Sequence, residues 1–155
     1  MARAEKKVEN RLDEQEVDVF VPKCRVVRQW KDRKKKVTVP LFPNYLFANV
    51  DEYDRMKVLQ TNGIVRMITF AGEPAEMGED EIDQLKITQH TPERLEVLSS
   101  ARPPVGSEVK VEQGPLQGLK GVVREQRGQH ELLLEIRTIR QVVKVQLDEA
   151  AVEVL

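Results

Sequence analysis

The sequence predicts an α+β fold, in which an N-terminal antiparallel sheet with flanking helices is followed by a small all-β barrel. Up to residue 89 the predicted order is helix, three strands, helix, strand and helix, whereas four short segments with period-two hydrophobicity follow residue 104. Between the two patterns, prolines and serines give a composition that is typical of a linker. We therefore expect an N-terminal domain over residues 1–90, a linker over 91–104 and a β-barrel over 105–155.

The composition is that of a globular chain without a membrane span. Its 155 residues are 40% hydrophobic and 33% charged, with a net charge of −1. Because no apolar run approaches the ~20 residues that cross a bilayer, we expect no membrane insertion. The single cysteine, Cys24, excludes an internal disulfide and suits the reducing cytoplasm, where we expect the protein.

The N-terminus predicts a helix over residues 3–15. Ala4, Val8 and Leu12 recur every four residues and form one apolar stripe among charged neighbours. We expect the charged residues outside this stripe, Glu5 among them, to lie on the solvent side of the helix.

A long basic hairpin is predicted to follow this helix. Residues 17–22 alternate like a strand that ends at a proline, and residues 25–30 resemble another strand. Residues 31–36 are predicted to be a polar connection before a strand over 37–39.

Further along, the pattern predicts two more helices with a strand between them. Asp51 is a plausible N-cap for a helix over 51–60. Residues 64–70 form an apolar strand candidate, and residues 78–89 resemble a helix that acidic residues open.

The apolar stretch 40–48 organises the N-terminal half of the chain. It contains three aromatic residues, two leucines and two prolines. Aromatic residues suit a half-buried strand, and alternation places Tyr45 and Phe47 on one face with Leu46 on the other. These side chains either fill the core or form a platform for a partner, and the residues alone leave both interpretations open.

Two motifs resemble a known family of transcription factors. Residues 105–123, centred on the glycine-rich segment 114–123, resemble a KOW motif. Upstream, residues 28–36 followed by 40–47 resemble the N-terminal domain of NusG-type factors. The resemblance covers nearly the whole chain and implies a transcription elongation and antitermination factor. It implies that the N-terminal domain binds RNA polymerase and that the barrel recruits other factors.

The resemblance also implies where RNA polymerase would bind. In the family an apolar platform lies against a coiled coil of the polymerase clamp, and buried aromatic anchors suit such an interface. The matching residues of this chain are Leu41, Phe42, Pro43, Tyr45 and Phe47.

The basic hairpin has two interpretations. One is a weak, non-specific contact with DNA phosphates at the upstream fork, with the tryptophan stacked on an exposed base. The other is a solvated loop with the tryptophan packed beneath it. The residues concerned are Trp30, Lys31, Arg33, Lys34, Lys35 and Lys36.

The barrel segment contains candidate turn residues and candidate partner-binding residues. We expect Gly114, Gly118 and Gly121 to permit tight turns or bulges. Leu116 is expected at an exposed loop tip, and Ile139 in a second loop. In the family the matching loops contact the ribosomal protein NusE or the termination factor Rho, so the resemblance implies these partners.

The residues give little support for catalysis, a cofactor or a metal. His90 and His130 have no ligand spacing to each other or to Cys24, and phosphate-loop, dinucleotide and nucleophile motifs do not occur. We expect a binding protein rather than an enzyme. The alternative to a polymerase-bound factor is an RNA- or ribosome-associated KOW protein, which would not need the apolar stretch and would be more basic.

One departure from the family concerns the start of the chain. The family's N-terminal domain usually begins with a strand, whereas residues 5–8 of this chain already match its first helix. We expect a truncated or late-starting form, or a neighbouring molecule that completes the sheet.

Overall fold

The computed structural model describes residues 4–98, 104–126, 128–147 and 152–154. Residues 1–3, at the expected departure from the family, and residues 99–103 of the expected linker lie outside this part. The helices are α1 Ala4–Glu14, α2 Glu52–Leu59 and α3 Glu79–Thr88. The strands are β1 Asp18–Phe20, β2 Lys23–Trp30, β3 Arg33–Pro40, β4 Phe47–Asn49, β5 Thr69–Phe70, β6 Glu73–Pro74, β7 Leu95–Val97, β8 Glu108–Val111, β9 Lys120–Gln126, β10 Gln129–Ile136, β11 Gln141–Gln146 and β12 Val152–Val154. The α+β class is confirmed.

Two segments differ from the sequence-based expectation. The third strand begins at Arg33 rather than at Val37, so only two residues connect it to β2. Charged side chains remain solvated on an exposed two-stranded ribbon, and the strand therefore extends through them. Residues 64–70 are mostly irregular, and only the short β5–β6 pair forms. Val65 and Phe70 are exposed, so no buried face holds this segment in a sheet.

The chain folds into two compact units, of which the first combines residues 1–22 with residues 40–76. Its core is formed by Val8 and Leu12 of α1 together with Val17 and Val58. Strands β1 and β4 pair antiparallel, with Phe20 opposite Phe47. The N-terminal helix is therefore the element on which β4 and the adjoining apolar stretch are packed.

The second unit combines residues 23–39 with residues 77–155. It contains the β2–β3 hairpin, α3 and a six-stranded antiparallel sheet with the order β12-β8-β9-β10-β11-β7, which we call the C-terminal sheet. The alternating apolar residues of β10 and β11 fill its core, including Leu132, Ile136, Val143 and Val145. The domain boundaries expected from the sequence stay a prediction, although part of the expected linker forms β7 and pairs with β11.

A cluster of charges links four strands of the C-terminal sheet: β9, β10, β11 and β7. Glu131 is buried, and it accepts a 2.8 Å hydrogen bond from Arg124 on the neighbouring strand. Lys144 lies 3.7 Å from the other carboxylate oxygen of Glu131 and 2.8 Å from Glu96 on β7. The hydrogen bond to Glu96 raises the pKa of Lys144. The buried carboxylate is thus compensated by two cations, which limits the cost of its burial.

Candidate protein and nucleic-acid interfaces

The apolar stretch forms a tight turn between β3 and β4. The N–H of Tyr45 donates to the carbonyl of Phe42 at 3.2 Å, which closes a four-residue turn. Pro43 and Asn44 occupy its central positions, and Asn44 has a φ of +71°. Proline followed by a residue with positive φ is the type II pattern, and asparagine tolerates this conformation better than most residues. Local sequence therefore accounts for the turn.

The side chains of this stretch divide into an inner and an outer group. Leu41 and Phe42 are each 3% exposed, and the ring of Phe42 meets that of Phe47 edge-on, with centroids 6.4 Å apart. Pro43 is exposed, whereas Tyr45 and Phe47 are half-buried. Each of the two interpretations left open above therefore applies to part of the stretch. Leu41 and Phe42 fill the core, whereas the three outer residues remain accessible to a partner.

Glu5 is a residue of this site that sequence reasoning misplaced. We expected it on the solvent side of α1, yet it is only 5% exposed. Its Oε1 accepts the backbone N–H of Asn44 at 2.6 Å across 39 positions of sequence. Helical periodicity places Glu5 beside Val8, at the margin of the apolar stripe. That position was the feature of the sequence that could have indicated its burial.

The β2–β3 hairpin presents cations on both of its faces. Trp30 is 54% exposed, and the Nζ of Lys35 lies 5.4 Å from the centre of its ring, a distance at which a cation–π attraction operates. The contact places these two side chains on one face, and alternation puts Lys34 and Lys36 on the other. Trp30 is therefore not packed beneath the hairpin. All of the candidate nucleic-acid residues are exposed, namely Trp30, Lys31, Arg33, Lys34, Lys35 and Lys36.

The candidate partner loops of the C-terminal sheet lie next to α3. The carboxylate of Glu81 accepts the hydroxyl of Thr138 at 2.9 Å, beside Ile139, which is half-buried. The side-chain amide of Gln84 donates to the carbonyl of Gly118 at 3.1 Å. Leu116, which we expected at an exposed tip, is instead buried, with 3% of its surface exposed. Both loops are therefore engaged by the same helix.

The three candidate turn glycines serve two different purposes. Gly114 and Gly118 have φ values of +89° and +91°, which an L-residue adopts only with strain. At Gly121 space is the constraint, since an added Cβ would lie 2.5 Å from the carbonyl oxygen of Leu133. The conformation of the loop at Gly114 and Gly118 and the close approach of β9 to β10 at Gly121 therefore both require glycine.

The described residues show no grouping that suits metal binding. Within the described ranges, no three His, Cys, Asp or Glu side chains converge closely enough to hold an ion. Burial raises the pKa of the Cys24 thiol, which lowers its reactivity at neutral pH. In the same part of the chain, none of the helices combines the length and apolar character needed to cross a bilayer.

Comparisons with known proteins agree with this architecture. The family described as "Transcription termination factor nusG" matches residues 1–86. Among solved structures, the chain is similar to NusG of Thermotoga maritima, in a structure reported for domain interaction in that protein. The match has a TM-score of 0.55 and 21% sequence identity, and it covers 99% of this chain and 92% of that chain. At 21% identity, the structural match supports the fold alone.

Proposed function

The chain belongs to the NusG family of transcription factors, and we propose that it binds RNA polymerase and travels with it during elongation. The turn of residues 41–47 is the observation that carries this proposal. Leu41 and Phe42 anchor the turn in the interior, so Tyr45 and Phe47 are held in a defined arrangement at the surface. Ordered aromatic side chains lose little entropy on binding and are common interface anchors. The clamp region of the polymerase is the proposed partner.

The basic hairpin is proposed to contact DNA in the same complex. Its cations lie on both faces of a two-stranded ribbon, so phosphates on either side can be neutralised. Such contacts carry no sequence information and strengthen binding mainly at low salt. Exposed Trp30 adds a flat surface on which an unpaired base can stack.

The C-terminal sheet is proposed to couple the polymerase to a further factor, of the NusE or Rho type. Its two candidate loops are engaged by α3 through Glu81 and Gln84. A partner that uses these loops must therefore displace the helix. The domain interaction reported for the Thermotoga protein supports extending this idea to the present chain. We propose that binding of the partner and release of α3 are mutually dependent.

The polymerase proposal is tested by measuring the affinity of the full chain for purified core RNA polymerase. Tyr45→Ala is compared with Tyr53→Ala, because Tyr53 is a tyrosine of the same unit that is 90% exposed on α2. We expect Tyr45→Ala to raise Kd by about tenfold or more, as truncation of an interface anchor does. Tyr53→Ala should leave Kd within about twofold.

If Tyr45→Ala bound polymerase with the same Kd as Tyr53→Ala, Tyr45 would not be a specific anchor of the polymerase surface. A wild-type chain that fails to bind core polymerase would reject the proposal. If that chain sedimented with ribosomes instead, the RNA- or ribosome-associated interpretation would replace it.

A further inference from the structure

We propose that Glu5 is a positioning residue that selects the type II conformation of the Phe42–Tyr45 turn. This choice sets the direction in which Tyr45 is presented beside Phe47, and to that extent the proposal rests on the proposed polymerase-binding function. The part of the proposal that concerns the conformation of the turn does not depend on that function. It involves only the turn and α1, which lie in the same unit.

The argument begins with the central peptide of the turn. The closing hydrogen bond uses the carbonyl of Phe42 and the N–H of Tyr45, so the N–H of Asn44 takes no part in it. Type I and type II turns differ mainly in the orientation of this central peptide, whose N–H belongs to Asn44. An acceptor fixed on one side of the turn therefore favours one type over the other. Glu5 Oε1, 2.6 Å from that nitrogen, is such an acceptor.

The backbone cost of the turn shows why an acceptor is needed. Asn44 adopts a φ of +71°, in the left-handed region that favours glycine. A type I turn with the same Pro43 would keep this residue at negative φ without strain. A short hydrogen bond donated to a charged acceptor is stronger than one to a neutral acceptor, and it offsets this preference.

The burial of Glu5 supports the same conclusion. The residue is 5% exposed, and among the described residues its Oε2 has no hydrogen-bond partner. Burying a carboxylate with one oxygen unsatisfied is unfavourable, and an apolar side chain would pack there at lower cost. The carboxylate is thus poorly suited to a pure packing role, whereas its Oε1 serves the turn directly.

The position of the turn gives this interaction a functional consequence. Tyr45 is the last residue of the turn, and Phe47 begins β4 two residues later. Phe47 also lies opposite Phe20 in the β1–β4 pair, which fixes its position. A change of turn type would therefore reorient Tyr45 relative to β4. Glu5 acts on the proposed interface through the backbone, without contacting the polymerase itself.

The test uses the full chain with two substitutions of similar length. Glu5→Met removes the acceptor but keeps an unbranched side chain, whereas Glu5→Gln removes the charge and keeps an oxygen acceptor. Glu14→Ala, an exposed acid at the other end of α1, is the matched control. The measurements are amide hydrogen exchange at Asn44, the chemical shifts of Tyr45, and Kd for core RNA polymerase.

We expect Glu5→Met to accelerate exchange at Asn44 by about tenfold, to shift the Tyr45 resonances and to raise Kd by about tenfold, as loss of one hydrogen bond to a charged acceptor predicts. Glu14→Ala should remain close to wild type in all three, and Glu5→Gln, which keeps a weaker neutral acceptor, should lose clearly less than Glu5→Met. The double variant Glu5→Met with Asn44→Gly should recover much of the affinity, because glycine adopts the positive φ without the strain.

The outcomes separate the proposal from its alternatives. If Glu5 acted only as a negative charge near the start of α1, Glu5→Gln would lose as much as Glu5→Met and the proposal would fail. Unchanged Asn44 exchange in Glu5→Met would also overturn it. A wild-type chain that does not bind polymerase would reject the proposed function, yet the exchange and shift data would still decide the role of Glu5 in the turn.

Discussion

Gln84 on α3 holds the C-terminal sheet by two backbone groups, donating to the carbonyl of Gly118 at 3.1 Å and accepting the N–H of Lys120 at 2.6 Å. A side-chain amide bound in this way imitates the edge of a neighbouring strand. Gln89, the C-cap of α3, makes the same pair of bonds with the N–H and carbonyl of Lys23 at the start of the hairpin. The helix is thereby joined to the sheet and to the hairpin by one type of interaction.

The first prediction concerns release of α3 from the sheet. Gln84→Leu removes both hydrogen bonds while roughly keeping the volume, and it should lower the free energy of unfolding by about 1–2 kcal/mol. If the helix competes with a partner for the loops, affinity for a NusE-type protein should rise as stability falls, by up to about tenfold per 1.4 kcal/mol. Chemical denaturation and binding to the purified ribosomal protein measure the two effects.

Asp83→Ala is the control for this prediction, because Asp83 is exposed on the same helix. It should change neither quantity. A destabilised Gln84→Leu variant whose partner affinity stays at the wild-type value would show that α3 does not limit access to the loops.

A second prediction follows from the burial of Leu116. Because this side chain is 3% exposed, Leu116→Ser leaves a cavity and buries a hydroxyl, and it should cost about 2–4 kcal/mol of stability. Gln117→Ser changes the exposed neighbour in the same loop and should stay within about 0.5 kcal/mol. Thermal unfolding of the two variants makes the comparison. A Leu116→Ser protein as stable as wild type would mean that this loop is open in solution.

The elements that the sequence predicted correctly are those with one strong period. The stripe of Val8 and Leu12 gave α1 to within a residue or two, and the alternation through Leu132, Leu134 and Ile136 gave β10. In both cases a repeating apolar pattern outweighs local preference, so the pattern alone is enough.

The residues that sequence reasoning misjudged are those whose environment depends on distant partners. Glu5 was assigned to solvent because charged residues are usually exposed, and only the fold brings Asn44 to its carboxylate. The burial of Leu116 likewise depends on the path of its loop. The strand extension through Lys34 to Lys36 was missed because charges resemble a connection, although solvation lets them sit on an exposed ribbon.

A third prediction distinguishes a local effect of the lysines on one face of the hairpin from an effect of net charge. Replacing Lys34 and Lys36 with Ser should weaken binding to a transcribing complex more at low salt than at high salt, because exposed phosphate contacts are screened. Each lost contact should reduce the slope of log affinity against log salt by about 0.9. Replacing Lys6 and Lys7 on α1 removes the same charge from another exposed site and is the control. Equal effects of the two pairs would indicate a non-local effect of net charge.

The last prediction distinguishes packing from contact within the apolar turn. Phe42 is 3% exposed and meets Phe47 edge-on, so Phe42→Ala should cost about 3–5 kcal/mol of unfolding free energy. Phe42→Leu keeps most of the apolar volume and should cost about 1 kcal/mol. Because Phe42 contributes through the interior, the leucine variant should bind RNA polymerase as wild type does, whereas Tyr45→Ala should unfold at nearly the wild-type temperature and bind weakly. Thermal unfolding and polymerase affinity, measured on the same preparations, test both halves. A folded Phe42→Leu protein with an affinity as low as that of Tyr45→Ala would mean that Phe42 leaves the core to meet the polymerase.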